Sequence, residues 1–234
     1  MLSLVTTPIG NLDDMAPRAV AALRAADVIA CEDTRRTWRL LSHFEIPRPE
    51  MISYREQTEK RSAEHLLRKL EAGQHVAVCS DGGSPGISDP GYRIARLAAE
   101  HDLEMEVLPG PSAVQVALLL SGLSTATFTF KGFPPRKRGQ MIRFFEEEKA
   151  AAHTLIIYES PYRVGKTLDV AFEVFGGREA AVCIELTKKF ERVSRGYLGD
   201  LLEIYRDKKV KGEVTIVIAG NNPKFAREIE AEDM

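Results

Sequence analysis

The stretch from Val76 to Gly91 constrains the fold more than any other part of the chain. It opens on the apolar run Val76-Ala77-Val78-Cys79, the pattern of a buried strand. Gly82, Gly83, Pro85 and Gly86 then interrupt any regular element. Asp89-Pro90 offers an N-cap with proline at the first helical position, so a helix is expected over 91–100. Strand, glycine-rich loop and helix in that order suit an open α/β sheet, which binds ligands at the carboxyl ends of its strands. The competing reading, a tight turn that merely needs glycine, fits less well: the loop is too long and too polar for a minimal connection.

The same alternation runs through the rest of the chain. Strands are expected at 2–5, 27–31, 51–54, 105–108, 127–130, 154–158, 180–185 and 213–219. Helices are expected at 16–26, from 34 to about 43, and at 58–71, 113–120, 140–151, 164–175 and 198–208. Asp13 and Asp14 offer caps for the first of these. The segment up to Gly196 reads as basic and irregular, and the tail 221–234 as polar and frayed. The pattern predicts an α/β protein with largely parallel strand pairing. A break at 122–125 divides it into an N-terminal lobe, 1–121, and a C-terminal lobe, 122–234.

A chain of 234 residues suffices for one large or two modest domains, and a formal charge of -2 excludes a globally basic nucleic-acid coat. Cys31, Cys79 and Cys183 each end an apolar run and read as buried free thiols. No His/Cys cluster points to a metal. The chain opens directly into a strand, and no apolar run has membrane-spanning length, so a cytoplasmic protein is expected.

Most of the expected strands run into loops of small, polar, glycine- and proline-rich composition, at 6–11, 32–35, 81–91, 109–113, 158–161 and 185–189. In parallel sheets these loops collect at one edge. The Walker pattern and Gly-x-Gly-x-x-Gly are both absent. Asp81 and Asp89 would repel a polyphosphate, so the loop system suits a cation, or a neutral ligand held by backbone groups.

Seven motifs occur in order: Thr7-Pro8-Ile9-Gly10-Asn11-Leu12, Glu32-Asp33-Thr34-Arg35, Ser80-Asp81-x-Gly83-x-Pro85 with Asp89-Pro90-Gly91, Pro109-Gly110-Pro111-Ser112-Ala113, Tyr158-Glu159-Ser160-Pro161-Tyr162-Arg163, Glu185-Leu186-Thr187-Lys188 and Gly212-Glu213. Over roughly residues 1–220 the chain resembles the bacterial 16S ribosomal RNA cytidine 2'-O-methyltransferases, of the tetrapyrrole-methylase superfamily. The resemblance implies two α/β lobes with S-adenosylmethionine in the cleft between them, a homodimer, and action on 16S RNA within the small ribosomal subunit. It places Pro8, Ile9, Gly83, Ser84, Pro85, Gly86, Ile87, Ser112, Ala113, Leu186, Gly212 and Glu213 at the methyl donor. The donor is a sulfonium, in agreement with the charge of the loops. Family members commonly carry a bulky aliphatic residue at the position of Gly86 and leucine at that of Pro134, and many extend further with a small helical domain.

Methyl transfer to a ribose hydroxyl is an in-line displacement that needs positioning, together with a base or a cation for the alkoxide. Candidates are Asp33, Asp81, Glu159, Glu185 and Lys188. Asp33 reads equally well as a helix cap, Glu159 as a cap near Pro161, and Lys188 as part of a solvated charge run. For RNA the candidates are Arg35, Phe133, Arg136, Lys137 and Arg138, with Phe133 inside a proline-stiffened basic loop. Tyr54, Tyr158 and Tyr162 are further stacking candidates. The rival functions are C-methylation of a tetrapyrrole and a donor- and RNA-binding module without catalysis.

Overall fold

A computed structural model describes residues 1–227. The chain divides into two compact units, Met1–Ser112 and Ala113–Met234.

The first unit contains β1 (Leu2–Val5), α1 (Pro17–Ala25), β2 (Val28–Cys31), α2 (Thr34–His43), β3 (Glu50–Ser53), α3 (Glu59–Glu71), β4 (Val76–Cys79), α4 (Tyr92–Glu100) and β5 (Met105–Leu108). Its sheet has the order β3-β2-β4-β1-β5, and every pairing is parallel. Side-chain alternation divides the strands between two cores. Ile29, Cys31, Ala77 and Cys79 pack with Ala19 and Leu23 of α1 and Leu41 of α2. Val28, Ala30, Val76 and Val78 pack with Ala63, Leu66 and Leu70 of α3 and Ile94 and Ala98 of α4. Burial on both faces is why β2 and β4 read as unbroken apolar runs.

The second unit contains α5 (Ala113–Ser121), β6 (Phe128–Phe130), α6 (Arg138–Glu146), β7 (Thr154–Glu159), α7 (Val164–Phe175), β8 (Glu179–Ile184), β9 (Arg192–Tyr197), α8 (Leu198–Tyr205) and β10 (Val214–Ile218). Leu155, Ile157, Val182, Ile184 and Ile216 form a core with Phe145 of α6, Leu168 and Ala171 of α7, and Leu201 of α8. Helix α5 packs on β8 and β10, which is why the contact boundary falls at Ser112 rather than after the helix, at 121.

The second sheet departs from the expected parallel pairing. Its order is β6-β7-β10-β8-β9; only β6 and β7 are parallel, and the other pairs are antiparallel. The segment expected to be irregular contains β9, an edge strand whose Arg192, Ser194 and Arg195 hide its alternation. Helix α6 is shorter than expected, ending at Glu146 rather than 151. Residues 221–227 are pinned rather than frayed: Arg227 N–H donates to the Gly177 carbonyl at 2.9 Å and its guanidinium to Asp200 at 2.6 Å. The remainder of the tail lies outside the described residues.

Two helix starts also differ. Asp13 and Asp14 lie in a 3-10 turn capped by Asn11, and Ala16 precedes α1 without a side-chain cap. Asp89-Pro90 does not start α4; Gly91 precedes it, and Glu59 on α3 accepts from the N–H groups of Gly91 (3.1 Å) and Arg93 (3.4 Å). A carboxylate from another helix thus occupies the positive end of α4.

Candidate functional site

In the first unit the parallel register sets Val5 beside Cys79 and Leu108, and Cys31 beside Cys79. Every loop expected to carry chemistry in this unit therefore leaves the same sheet edge. Thr7 and Gly83 exchange backbone hydrogen bonds of 3.0 and 2.9 Å, joining the first loop to the glycine-rich one. Hydroxyls tighten the joint: Thr7 Oγ1 donates to the Ser80 carbonyl (3.1 Å), Ser80 Oγ donates to the Gly83 carbonyl (3.0 Å), and Thr6 Oγ1 lies 2.9 Å from Ser84 Oγ. Pro8 and Ile9 lie against Gly82 and Gly83, where an added Cβ would meet the Pro8 carbonyl at 3.3 Å and Ile9 Cγ2 at 3.7 Å. Ser84, Pro85, Gly86 and Ile87 complete a turn closed by Gly86 N–H to the Pro90 carbonyl (3.2 Å) and Ile87 N–H to that of Ser84 (3.3 Å).

Three carboxylates share this edge. Asp81 accepts from the Asp33 N–H (3.3 Å) and pairs with Arg36 (3.2 Å), and its own N–H donates to Glu32 (3.3 Å). Asp33 caps α2 through the Arg35 N–H (2.9 Å) and forms a two-pronged pair with the Arg35 guanidinium (3.1 and 2.9 Å). Those bonds hold the Asp33 carboxyl well below its ordinary value, which makes it a poor proton acceptor. Burial pushes the Glu32 carboxyl up. Glu32 entered the sequence reading only as part of the Glu-Asp-Thr-Arg motif, which Arg36 directly follows. Beside them Thr7, Pro8, Leu12, Arg36, Arg39 and Asp81 line a cavity of about 200 Å³. Tyr54 is no stacking platform; it is buried, and its hydroxyl donates to Glu59 at 3.2 Å.

The second unit also gathers its loops at one edge, by a different route. Val214 pairs with both Glu159 and Ile184, so the antiparallel β10 begins where β7 and β8 end. Its entry, Gly212-Glu213, therefore lies between the two outgoing loops. Glu185 and Glu213 are joined by two hydrogen bonds of 2.9 Å, Glu185 N–H to the Glu213 carbonyl and Glu213 N–H to Glu185 Oε1. Lys188 Nζ donates to Glu185 (2.9 Å) and Glu213 (3.0 Å). Partial burial works against both charges, but the bonds prevail: Glu185 is held below its ordinary pKa and Lys188 above its own. Gly212 has φ +94°, and a Cβ there would collide with the Glu185 side chain. Leu186, next to Glu185 in the chain, is buried.

Glu159 is shut off from solvent. Its side chain has no exposed surface and is bonded to the Ser160 N–H (2.6 Å), the Arg163 guanidinium (2.6 Å) and the Thr167 hydroxyl. It is not a backbone cap of α7, since Arg163 precedes that helix without a side-chain cap. Arg163 in turn donates to the Pro134 carbonyl at 3.0 Å, so the buried pair anchors the basic loop. On that loop Arg136 and Lys137 are exposed, and Phe133 is 56% exposed with its ring edge-on to Tyr158. Two other RNA candidates are engaged within the protein: Arg35 by Asp33, and Arg138 by Glu173 (2.7 Å) and Asp169 (3.5 Å).

The family model for tetrapyrrole (corrin/porphyrin) methylases matches residues 1–202. The chain belongs to the tetrapyrrole methylase family. It is 41% identical to "Ribosomal RNA small subunit methyltransferase I" of Halalkalibacterium halodurans, over 97% of this chain and 78% of that protein. The protein of the same name from Synechocystis sp. is also 41% identical, over 100% of this chain and 84% of its own length. The one from Thermotoga maritima is 37% identical over 94% and 98%. Among solved structures, the methyltransferase CobJ superposes with a TM-score of 0.69 at 18% identity, covering 98% of this chain and 96% of that one. Diphthine synthase does so at 0.69 and 14%, covering 93% and 89%. At such identities these two establish the fold alone.

As a tetrapyrrole methylase the chain is a methyltransferase whose methyl donor is S-adenosylmethionine. The first unit's edge fits that donor chemically: backbone groups and hydroxyls line the loop, carboxylates rather than lysines flank it, and the Thr7–Gly83 bridge holds it in shape. Among the described residues no group of His, Cys, Asp and Glu is arranged to hold a metal ion. Among them, too, no helix is long and apolar enough to cross a membrane. Cys31, Cys79 and Cys183 are buried and free, with burial raising all three thiol pKa values, that of Cys183 to about 12.

Proposed function

We propose that this chain methylates the ribose 2'-hydroxyl of a cytidine in 16S ribosomal RNA, acting in the cytoplasm as a homodimer on the small ribosomal subunit. The observation that carries this reading is the identity of about 40%, over nearly the whole chain, with relatives named for methylation of small-subunit RNA. The exposed Phe133, Arg136 and Lys137 support it, because they suit a polyanion with unpaired bases better than a compact tetrapyrrole.

In this reading the donor-contacting residues are Pro8, Ile9, Gly83, Ser84, Pro85, Gly86, Ile87, Ser112, Ala113, Leu186, Gly212 and Glu213. When bound, the donor supplies a methyl group on a sulfonium. The chain's own task is to orient the acceptor hydroxyl and accommodate its proton and charge. Of the five candidates, Asp81 is assigned to the proton because it opens the glycine-rich loop that this reading gives to the donor. Asp33 and Glu185 are held below their ordinary values and Glu159 is enclosed. Lys188, kept protonated by Glu185 and Glu213, is the cation for a developing alkoxide. The direct test is mass spectrometry of ribosomal RNA from cells with and without the gene. Loss of one 2'-O-methylcytidine from 16S RNA is expected, and an unchanged methylation map would refute the reading.

A further inference from the structure

The second unit carries a cavity of about 490 Å³ lined by Glu185, Lys189, Phe190, Glu191, Arg192, Lys211 and Gly212. That volume lies within the roughly 300–1,000 Å³ typical of small-ligand sites. Its two carboxylates are already engaged: Glu185 by Lys188, and Glu191 by the Thr187 N–H at 2.7 Å. Its three cations are not, for among the described residues Lys189, Arg192 and Lys211 form no ion pair with a carboxylate. The lining thus carries three cations against two carboxylates, a local excess of positive charge.

Phe190 supplies the second element. It is 70% exposed, and Lys189 Nζ lies 5.7 Å from its ring centroid. The backbone of the loop that presents this ring is held in an uncommon conformation. Glu185 and Thr187 both adopt positive φ, 55° and 61°, an uncommon backbone state for residues with a Cβ and an outlier for β-branched threonine. Hydrogen bonds from Lys188 N–H to the Glu185 carbonyl (3.0 Å) and from Glu191 N–H to the Lys188 carbonyl (3.0 Å) fix the loop, with Phe190 at its tip.

Resting on the RNA-methylation reading, we propose that this cavity is a subsite for one unpaired nucleotide of the RNA flanking the methylated one. Its base stacks on Phe190, and its phosphates are held by Lys189, Arg192 and Lys211. A flat ring beside unpaired cations matches a base joined to phosphate, the combination used to bind single strands. The subsite is separate from the Phe133 loop, and it gives the enzyme a second grip on the strand.

The test measures binding of a fluorescent single-stranded 16S fragment, and separately of S-adenosylmethionine, to the full-length wild type and to Phe190→Ala, Phe190→Tyr and Lys189→Gln/Lys211→Gln. Phe190 is exposed, so its truncation leaves the core intact. Phe190→Ala is expected to weaken RNA binding by about 5- to 150-fold, the range for loss of one stacked base. Phe190→Tyr should restore it, and the lysine pair should flatten the salt dependence. Donor affinity should stay constant in all variants. Unchanged RNA affinity in Phe190→Ala would overturn the subsite while leaving the methylation reading intact. Loss of donor affinity instead would assign the cavity to the donor through Gly212 and overturn the subsite too. Failure of the wild type to bind both the fragment and the small ribosomal subunit would overturn the methylation reading itself, and the subsite with it.

Discussion

Replacing Glu159 by glutamine separates a buried structural pair from a catalytic base. The Glu159 side chain is fully enclosed, while that of Arg163 is 19% exposed. Removing one charge leaves the other buried without its counter-charge, and such losses cost roughly 3–5 kcal/mol. The residual exposure of Arg163 and its bond to Pro134 put the expectation at the low end, about 3 kcal/mol. For a chain of this length each kcal/mol lowers Tm by about 2–4 °C, so a drop of about 6–12 °C is expected. Thermal circular dichroism reads it. Activity measured well below the new Tm should fall mainly through weaker RNA binding, because Arg163 anchors the Phe133 loop. The double variant Glu159→Leu/Arg163→Met should regain most of the stability, since an apolar pair substitutes well for a buried ionic one. A Glu159→Gln variant with wild-type Tm and no turnover would refute the reasoning and make Glu159 the base.

The remaining predictions concern loops and charges. Gly91→Ala brings a Cβ to 2.5 Å from the Gly86 nitrogen and 2.8 Å from the Pro85 carbonyl carbon, so calorimetry should show loss of donor affinity, with a stability cost of about 1–3 kcal/mol. Wild-type affinity would separate the turn from the donor site. Glu185, with its pKa lowered from 4.5, contributes stability that is present above that value and lost as pH falls through its folded value. In Lys188→Gln, burial prevails and the Glu185 titration followed by NMR should move upward. The pair is partly exposed, so the stability lost at pH 7 is at most about 1 kcal/mol. A titration that does not move would dissolve the pair. Arg136→Glu/Lys137→Glu should weaken RNA binding and flatten its logarithmic salt slope by about 0.7 per lost phosphate contact. An unchanged slope would make the two side chains simple surface charges.

The first unit was legible because its physics is local. Strands buried on both faces give unbroken apolar runs, and Val28–Cys31 and Val76–Cys79 read as such at once. The second unit was legible as elements but not as a sheet. Nothing local in 214–218 distinguishes an antiparallel central strand from a parallel one, and edge strand β9 carries the charges of a loop. At the site, the motifs fall in loops that share one sheet edge within each unit, but the engagement of individual side chains is a tertiary matter. Glu159 looked reactive because it is a carboxylate after a strand, and Arg163, four residues on, encloses it. Glu59 caps a helix 32 residues away, a distance over which no capping rule operates.

The central claim is tested most directly by methyl transfer in a purified system. The protein is incubated with S-adenosylmethionine carrying a labelled methyl group and small ribosomal subunits from cells lacking the gene, in chelator, and the RNA is then digested and analysed by mass spectrometry. The account predicts one labelled methyl per subunit, on the ribose oxygen of a cytidine in 16S RNA. Label on a base, no transfer to RNA, or transfer to a tetrapyrrole in its place would contradict it.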